Sequence, residues 1–526
     1  MLPILLTLGD PWPELRIDPL LLAEAVEAYG VIAREDNPIW PGWNARSTPL
    51  LFYLPLEQDA LVNHPKPPAG FVRVPCTLLP EGWTLDLRDG PTTMTLDGQN
   101  TSTLVGGVET LVVADTISNL RPQIALYIDD PRQASEREKE LTVARLSLDP
   151  YDQLLMIVHE AFHVFQAQAP NKAASEAWLL QYPWLAAENN AGFVLEASAL
   201  TRALTTPDDE AAFEAALEFL AVRTERRARL PRVAVDYEDG TEFNEGLAKY
   251  TEWRLTRALE GREPHVALRW ARGFRGYQDL GFLRARLLEQ LEGNCTGKVV
   301  VNGDPYGSGG LRFRLYFTGM ALGAVLDRLE VPRWRERIFE PGTTLTGLLL
   351  EFLAPADDDL SEVATRTHAA GDYARILAEK QTLEADGQRE AQKRAAAILA
   401  APALFTLDYS LAPANVGFSY TPFGLTRVDA DRTIYSLIPL RAELGERASF
   451  QQESATPTLH DAKAARIQFA LSAPIDAQAL ARLLGLENLP KEPLERLELK
   501  LPGLEVHASR VVVNAVKGGV ELKLAR

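Results

Sequence analysis

The sequence HEAFH at residues 159–163 constrains the fold of this chain more than any other feature. It lies within a stretch, 149–170, that is apolar nearly all round and therefore predicts a buried helix. Asp149 suits the N-cap of this helix and Pro150 its first position, while Pro170 marks its end. Burying ionisable side chains is costly unless partners are provided. The protein must therefore build a core that pairs two histidines and a glutamate.

The spacing of the two histidines indicates what that pairing could be. His159 and His163 are four residues apart, so on a helix their rings project from one face, a turn apart. Such a pair can hold a single zinc ion, with Glu160 beside it as a general base. The alternative is a pair of core histidines that are satisfied by backbone carbonyl groups. A third ligand elsewhere in the chain would favour the metal.

Length and charge narrow the class of protein. With 526 residues the chain is too long for one core, and we expect about three domains. The net charge of −18 argues against nucleic acid or an anionic membrane as the main partner, because both favour basic patches. The two cysteines, Cys76 and Cys295, lie in no C-x-x-C pair, which excludes a cysteine-rich zinc site.

The N-terminus bears on the compartment. No apolar run approaches the roughly 18 residues that a membrane-spanning helix needs. The first residues, MLPILLTLGDPWP, lack the basic stretch and the small-residue cleavage site of a signal peptide. We therefore expect a cytoplasmic protein as the chain is given. If the N-terminus is a truncated signal peptide, we expect export to the periplasm or medium.

Composition along the chain predicts an α+β protein of three regions. Residues 1–120 are β-rich, with short β runs between Pro and Gly clusters and mostly antiparallel pairing. Residues 121–400 are mainly helical, and residues 373–399 predict a long polar helix that acts as a connector. Residues 401–526 return to strands and turns, so we expect a separate β-rich domain there.

Several further elements are predicted within these regions. Close helix packing is expected at the Gly-x-x-x-Gly pattern of residues 319–323. Other predicted elements are helices at 19–33, at 134–145, in segments of 175–230 and at 242–260, and strands at 50–56, 83–89, 92–98 and 110–116.

Residues 244–252, with the sequence NEGLAKYTE, provide a candidate third ligand. Together with HEAFH they resemble the gluzincin metallopeptidases, most closely the aminopeptidase N branch. That branch has H-E-x-x-H followed by a helix reading N-E-G-[FL]-A-x-Y-x-E. The resemblance implies a thermolysin-like catalytic domain, a peptide or protein substrate and Zn²⁺ held by His159, His163 and Glu245, with Glu160 as the base.

One departure from the family leaves the third ligand open. The family's glutamate follows the second histidine closely, whereas residues 164–244 intervene here. Ligands need to be close in space rather than in sequence, so a helical excursion between them is admissible. Glu188 and Glu196 lie on that excursion and remain alternatives to Glu245.

The neighbours of Glu245 suit a ligand better than those of the alternatives. Gly246 is expected to let this helix approach the histidine helix, while Tyr250 and Trp253 pack outward. Glu252 follows Glu245 by seven residues, so it shares the same helix face and could orient a ligating histidine. The alternative for Glu252 is a solvated helix carboxylate.

Two fainter similarities suggest substrate contacts. The segment GGVET at 106–110 resembles the family's G-x-M-E-N, which implies that Glu109 grips a substrate N-terminus; a simple Gly-Gly turn is the alternative. The strand that follows has an edge-type pattern, where a peptide could add as a further strand. Tyr316 resembles the Tyr-x-x-Gly helix of related gluzincins and could donate to an oxyanion. A core tyrosine is the alternative, and Tyr306 competes for the role.

The sequence therefore predicts a zinc-dependent metallopeptidase, a hydrolase in which Glu160 activates a zinc-bound water. Two other classes stay open: a zinc- and peptide-binding module with little turnover, and a metallohydrolase of a non-peptide substrate. The intact base favours an enzyme, because a site that only binds would not need it. Exo- or endo-cleavage, the oligomeric state and the role of the C-terminal domain are left open.

Overall fold

The computed structural model describes residues 15–90, 100–116, 149–169, 172–298, 304–412, 415–516 and 518–525. Within these ranges the protein is α+β, with a β-rich N-terminal region, a helical middle and a β-rich C-terminal region, as the sequence predicted. The predicted strand at 92–98, the predicted helix at 134–145 and Pro170 lie outside the described residues.

The described residues of the N-terminal region include an α-helix that packs beside a six-stranded sheet. Helix α1 (Pro19–Ile32) starts where predicted, because Pro19 occupies its first position and the Asp18 side chain accepts a 3.0 Å hydrogen bond from Leu20 N. The sheet has the order β3-β4-β2-β1-β6-β5, and only the β1–β6 pair is parallel. Its strands are β1 (Leu50–Leu54), β2 (Gln58–Val62), β3 (Val72–Val74), β4 (Leu85–Asp89), β5 (Thr101–Val105) and β6 (Val108–Ala114).

The position of β6 corrects one prediction. This strand pairs with β1 on one side and with β5 on the other, so the expectation of an edge strand at residues 110–116 is wrong. Gly106 and Gly107, at φ 56° and 83°, form the tight turn of the β5–β6 hairpin. Two consecutive residues with positive φ fit a turn that matches strand twist, which explains the Gly-Gly pair.

The helical middle carries the HEAFH sequence on α2, which begins at Asp152 rather than at Pro150. The Asp149 side chain accepts a 2.8 Å hydrogen bond from Tyr151 N just before the helix. The helices are α2 (Asp152–Gln166), α3 (Glu176–Leu179), α4 (Ala187–Thr205), α5 (Asp209–Arg227), α6 (Arg232–Thr241), α7 (Leu247–Leu259), α8 (Gly281–Thr296), α9 (Gly309–Arg328), α10 (Trp334–Arg337), α11 (Leu345–Leu353), α12 (Asp357–Ala370) and α13 (Tyr373–Leu399).

A π-helical turn, Glu242–Gly246, joins α6 to α7 in one continuous helical rod. Single π turns inside α-helices often occur at functional sites. A Cβ atom on Gly246 would lie 2.6 Å from Gly319 Cα on α9, and one on Gly319 would lie 2.7 Å from Gly246 Cα. This confirms close helix packing at Gly319. Gly246 faces α9, however, and not the histidine helix as predicted.

The aromatic residues of α7 also differ from expectation. Tyr250 and Trp253 are 0% and 5% exposed, so the prediction that they pack outward is wrong. The Tyr250 ring packs edge-on against Trp40, at 6.0 Å between centroids, and against Trp334, at 5.2 Å. Trp40 also contacts Phe162 of the histidine helix, at 4.8 Å. An aromatic core therefore joins α7 to α2 and to the N-terminal region.

A buried cluster of ion pairs links the π turn to the neighbouring helices. Arg223 of α5 lies between Glu196 of α4 and Glu242 of the turn, each 2.8 Å from Nη2. Arg226 pairs with Glu196 and with Glu238 of α6. All five side chains are at most 3% exposed. Because breaking one such pair leaves an uncompensated buried charge, the cluster fixes these helices relative to one another.

The C-terminal region is an eleven-stranded sheet with a short helix, α14 (Ala477–Leu483). The predicted connector α13 is one continuous helix that packs on α4 and on strands of this sheet. No helix among the described residues is both long and apolar enough to span a membrane. The strands are β7 (Leu404–Asp408), β8 (Val416–Ser419), β9 (Leu425–Arg427), β10 (Arg432–Tyr435), β11 (Arg441–Leu444), β12 (Ala448–Gln452), β13 (Thr458–Asp461), β14 (Arg466–Ala470), β15 (Leu494–Leu501), β16 (Leu504–Val516) and β17 (Gly519–Leu524).

Candidate metal centre

The structure brings His159 and His163 of α2 together with Glu245 of the π turn. Glu245 Oε2 lies 3.4 Å from His159 Nε2 and 3.5 Å from His163 Nε2. One donor atom from each of the three residues can be chosen so that all lie within 4.8 Å of one another. Two helical elements that are distant in sequence therefore direct three metal-ligating groups at one point.

These distances test whether the residues fit a zinc ion. A charge-assisted hydrogen bond between imidazole and carboxylate would be about 2.7–2.9 Å long. Two ligand atoms that are each about 2.0–2.2 Å from zinc, at a tetrahedral angle, lie about 3.3–3.6 Å apart. The observed 3.4 and 3.5 Å match the second spacing and are too long for the first. Two imidazoles and one carboxylate are also a donor set that zinc prefers.

The carboxylate of Glu252 contacts the His159 ring at the nitrogen that does not face Glu245. His159 Nδ1 lies 2.8 Å from Oε1 of Glu252, and a proton on Nδ1 in this contact would leave the lone pair of Nε2 available to a metal ion. Glu252 in turn accepts a 2.9 Å hydrogen bond from Lys249 Nζ. Glu252 is only 4% exposed, so it is an orienting partner of His159 and not the solvated carboxylate of the alternative reading.

The second histidine is held by a residue that sequence reasoning missed. His163 Nδ1 lies 2.9 Å from the Gln166 side-chain oxygen, and the Gln166 amide donates a 2.6 Å hydrogen bond to the backbone oxygen of Phe243 in the π turn. Gln166 therefore connects both ligand-bearing elements. The one available signal was its position three residues after His163, on the same helix face.

The ionisable side chains around His159 and Glu245 lie close enough to shift one another's pKa values. Burial lowers the pKa of His159, but contacts with the carboxylates of Glu245 and Glu252 outweigh it and raise the pKa to about 9. Burial acts to raise the pKa of Glu245, yet the neighbouring His159, His163 and Arg312 hold it well below its usual range. Two buried carboxylates around two imidazoles thus favour a bound cation, whether protons or a metal ion.

Glu160 and Tyr316 line a cleft beside His159 whose lining does not include His163 or Glu245. A cleft of about 330 Å³ is lined by His159, Glu160, Tyr316, Lys249 and Glu252 among others; we call it the histidine cleft. The Tyr316 ring stacks on the His159 ring, at 6.0 Å between centroids and 16° between planes. Burial and the charge of Glu245 raise the pKa of Tyr316 well above its usual value, so its hydroxyl group remains a hydrogen-bond donor.

The other candidates lie elsewhere. Tyr306 packs on α13, where a Cβ atom on Gly387 would meet its ring at 3.1 Å. Glu188 is exposed in the first turn of α4, and Glu196 is fully buried between two arginines. Glu109 is exposed beside the β5–β6 turn and does not line the histidine cleft.

The C-terminal sheet reaches the helix that carries Tyr316. Phe423 stacks on Phe313 at 5.4 Å between centroids, and Phe313 lies 5.5 Å from the Tyr316 ring. The Ser308 hydroxyl group donates a 2.6 Å hydrogen bond to the backbone oxygen of Pro422. The loop before β9 thus braces the start of α9.

No protein-family model matches the chain, and no curated protein or solved structure shows a significant match to it. The candidate metal centre is therefore defined by its own side chains and by their arrangement.

Proposed function

We propose that the protein is a zinc-dependent metallopeptidase with a thermolysin-like catalytic domain within residues 121–400. The observation that carries the proposal is the spacing of Glu245 Oε2 from the two histidine Nε2 atoms, 3.4 and 3.5 Å. His159, His163 and Glu245 would hold the zinc ion. Three protein ligands leave a further position for water or substrate, which is the composition of a catalytic rather than a structural zinc site.

When bound, zinc supplies a Lewis acid that lowers the pKa of water and polarises a carbonyl group. Glu160 precedes Ala161 and Phe162 on α2, is half-buried and lines the histidine cleft. Its carboxylate takes a proton from the attacking water and later delivers it to the leaving amine, so that peptide cleavage is balanced in protons.

Tyr316 supports the developing negative charge in this proposal. Its hydroxyl group stays protonated, and its ring is fixed against His159. A donor held in place before the reaction stabilises an oxyanion without a cost of reorganisation. Tyr306 packs beside Gly387 of α13 instead, so we assign it no part in the mechanism.

The test measures metal and cleavage on the same purified protein. We expect about one zinc per chain by mass spectrometry of the metal, and cleavage products from a peptide library. His159→Ala should lose the zinc, while Glu160→Gln should keep zinc and fold but lose most hydrolysis, since an amide cannot accept the proton. Glu188→Gln, at an exposed position, is the matched control. Wild-type protein that takes up no zinc even when it is added would overturn the proposal.

A further inference from the structure

The guanidinium group of Arg312, near the start of α9, lies between two carboxylates. Its Nη2 donates a 2.8 Å hydrogen bond to Glu245 Oε1, and its Nη1 bonds to the carboxylate of Glu176 on α3. The Arg312 side chain is 13% exposed. The Cζ atom of this guanidinium group also lies over the Tyr316 ring, 5.8 Å from the ring centroid. Arg312 therefore touches the candidate third ligand without being one of the donors itself.

The two oxygens of Glu245 have separate partners. Oε2 faces the two imidazoles, while Oε1 accepts a 2.8 Å hydrogen bond from Arg312 and a longer one, 3.3 Å, from the Asn244 amide. The last torsion of a glutamate side chain is broad, so the carboxylate of an unrestrained Glu245 would rotate freely. Holding Oε1 at a fixed point removes that freedom and directs Oε2 at the histidines.

We propose that Arg312 is a positioning residue for Glu245 and that Glu176 anchors it. This inference rests on the proposed zinc site. It also gives a role to the long segment 164–244 between the proposed ligands, because Glu176 lies within that segment. The excursion supplies the second carboxylate that keeps the guanidinium group in place.

The chemistry of arginine suits this task better than that of lysine. A planar guanidinium group can donate to two carboxylates from its two ends at once. A lysine ammonium group is a compact charge on a flexible stem, so it can neutralise Glu245 but would hold it less firmly. The Arg312→Lys variant therefore separates orientation from charge.

A purely structural ion pair is the competing explanation. Arg312 could simply join α9 to α3 and the π turn, in which case its loss would lower stability and leave the metal site unchanged. Arg335 offers a matched control, because it is 20% exposed and pairs with Asp327 and the Tyr250 hydroxyl group, away from the three donors.

The experiment compares four variants with the wild-type protein: Arg312→Met, Arg312→Lys, Glu176→Gln and Arg335→Lys. Zinc affinity is measured by competition with a chromophoric chelator, and the visible spectrum of the Co²⁺-substituted protein reports ligand geometry. Thermal unfolding in the presence of chelator checks that each variant folds. Partners that orient a ligand typically change metal affinity by about 10- to 100-fold.

We expect Arg312→Met to weaken zinc binding within that range, with an altered Co²⁺ spectrum, and Arg312→Lys by about 10-fold. Glu176→Gln should act in the same direction but less strongly, and Arg335→Lys should match the wild type. A zinc affinity in Arg312→Met equal to or tighter than wild type overturns the inference, as does a wild-type spectrum in Arg312→Lys. Should Arg312→Met not fold, an unchanged affinity in Glu176→Gln overturns it.

The two proposals fail in different ways. If the wild-type protein binds zinc but cleaves no peptide, the proposed function fails while the role of Arg312 is still measured by affinity and spectrum. If zinc binds and peptides are cleaved but the Arg312 variants bind zinc normally, only the positioning role is overturned. If wild-type protein binds neither Zn²⁺ nor Co²⁺, both are overturned.

Discussion

The carboxylate of Glu252 lies 2.8 Å from Nδ1 of His159, the ring nitrogen opposite the one that faces Glu245. Both glutamates come from the same helical rod, so a single element supplies a candidate ligand and the partner that orients another ligand. The rod and the histidine helix therefore have to be in register for the site to form.

Removing the partner of His159 should weaken metal binding. Glu252→Ala leaves Nδ1 without its acceptor and the ring free to rotate, so zinc affinity should fall by about 10- to 100-fold. Glu252→Gln keeps an acceptor oxygen and should lose less. Titration of apoprotein with zinc provides the measurement. Glu188→Ala, on the exposed face of α4, should leave affinity at the wild-type value. Equal affinities for all three variants would contradict the role given to Glu252.

Replacing Gly246 by a larger residue should lower the stability of the protein and weaken metal binding. A Cβ atom at this position would lie 2.6 Å from Gly319 Cα, so the rod and α9 must separate. We expect Gly246→Ala to lower the free energy of unfolding by about 1–3 kcal/mol, as overpacking does, and to weaken zinc binding because Glu245 is the adjacent residue.

Gly310→Ala is the matched control for this variant. A Cβ atom there would meet nothing within 4 Å, although Gly310 lies on α9 like Gly319. Urea unfolding and zinc titration of both variants check the prediction. Similar behaviour of the two would show that the contact between Gly246 and Gly319 does not set the position of the rod.

Much of the candidate metal site can be predicted from the sequence because it depends on helical periodicity. The four-residue spacing of His159 and His163, and the seven-residue spacing of Glu245 and Glu252, place each pair on one helix face. These spacings depend only on the geometry of a single helix, so they can be interpreted without knowing the rest of the fold. The structure accordingly brings together the three donors that were singled out.

What sequence reasoning missed depends on contacts between distant elements. Arg312 contacts Glu245, which lies 67 residues earlier in the chain. Gly246 of the π turn contacts Gly319 of α9. Nothing in a local pattern identifies such partners. The same holds for β6, which is an interior strand because it pairs with β1, far earlier in the chain, as well as with β5.

The buried ionic cluster should make stability sensitive to acid. Burial acts to raise the pKa of Glu238, but Arg226 and Arg227 outweigh it and hold the pKa well below its usual value of 4.5. A carboxyl group with a lowered pKa in the folded state contributes stability above its unfolded pKa. That contribution is lost as the pH falls below about 4.5, where the unfolded chain binds the extra proton.

Glu238→Gln tests this directly. The variant should be less stable at pH 7, by about 3–5 kcal/mol, because two buried arginines lose a charged partner. Its stability should then fall less steeply than that of the wild type below pH 4.5, since the titrating group is gone. Urea unfolding across a pH series gives both values. Glu379→Gln, in an exposed pair with Arg375, should follow the wild-type pH profile. A parallel decline of Glu238→Gln and wild type would refute the assignment.

The contact between the C-terminal sheet and α9 should affect turnover rather than metal binding. Phe423 stacks on Phe313, which in turn lies 5.5 Å from Tyr316, so deleting the Phe423 ring loosens the support of the proposed oxyanion donor. Aromatic pairs contribute about 0.5–1.5 kcal/mol beyond buried area, which corresponds to a loss of roughly 2- to 10-fold in kcat. Zinc affinity should stay unchanged, because none of the three donors moves with this ring.

Phe418→Ala is the control that distinguishes support of Tyr316 from general weakening of the C-terminal domain. Phe418 is also half-buried and aromatic, but it packs on Tyr435 within the sheet, at 4.5 Å between centroids. Both alanine variants should lower the melting temperature, whereas only Phe423→Ala should lower kcat. Phe423→Tyr should restore most of the loss, since a tyrosine ring can make the same stack. If the two alanine variants lower kcat equally, the C-terminal domain stabilises the protein without positioning Tyr316.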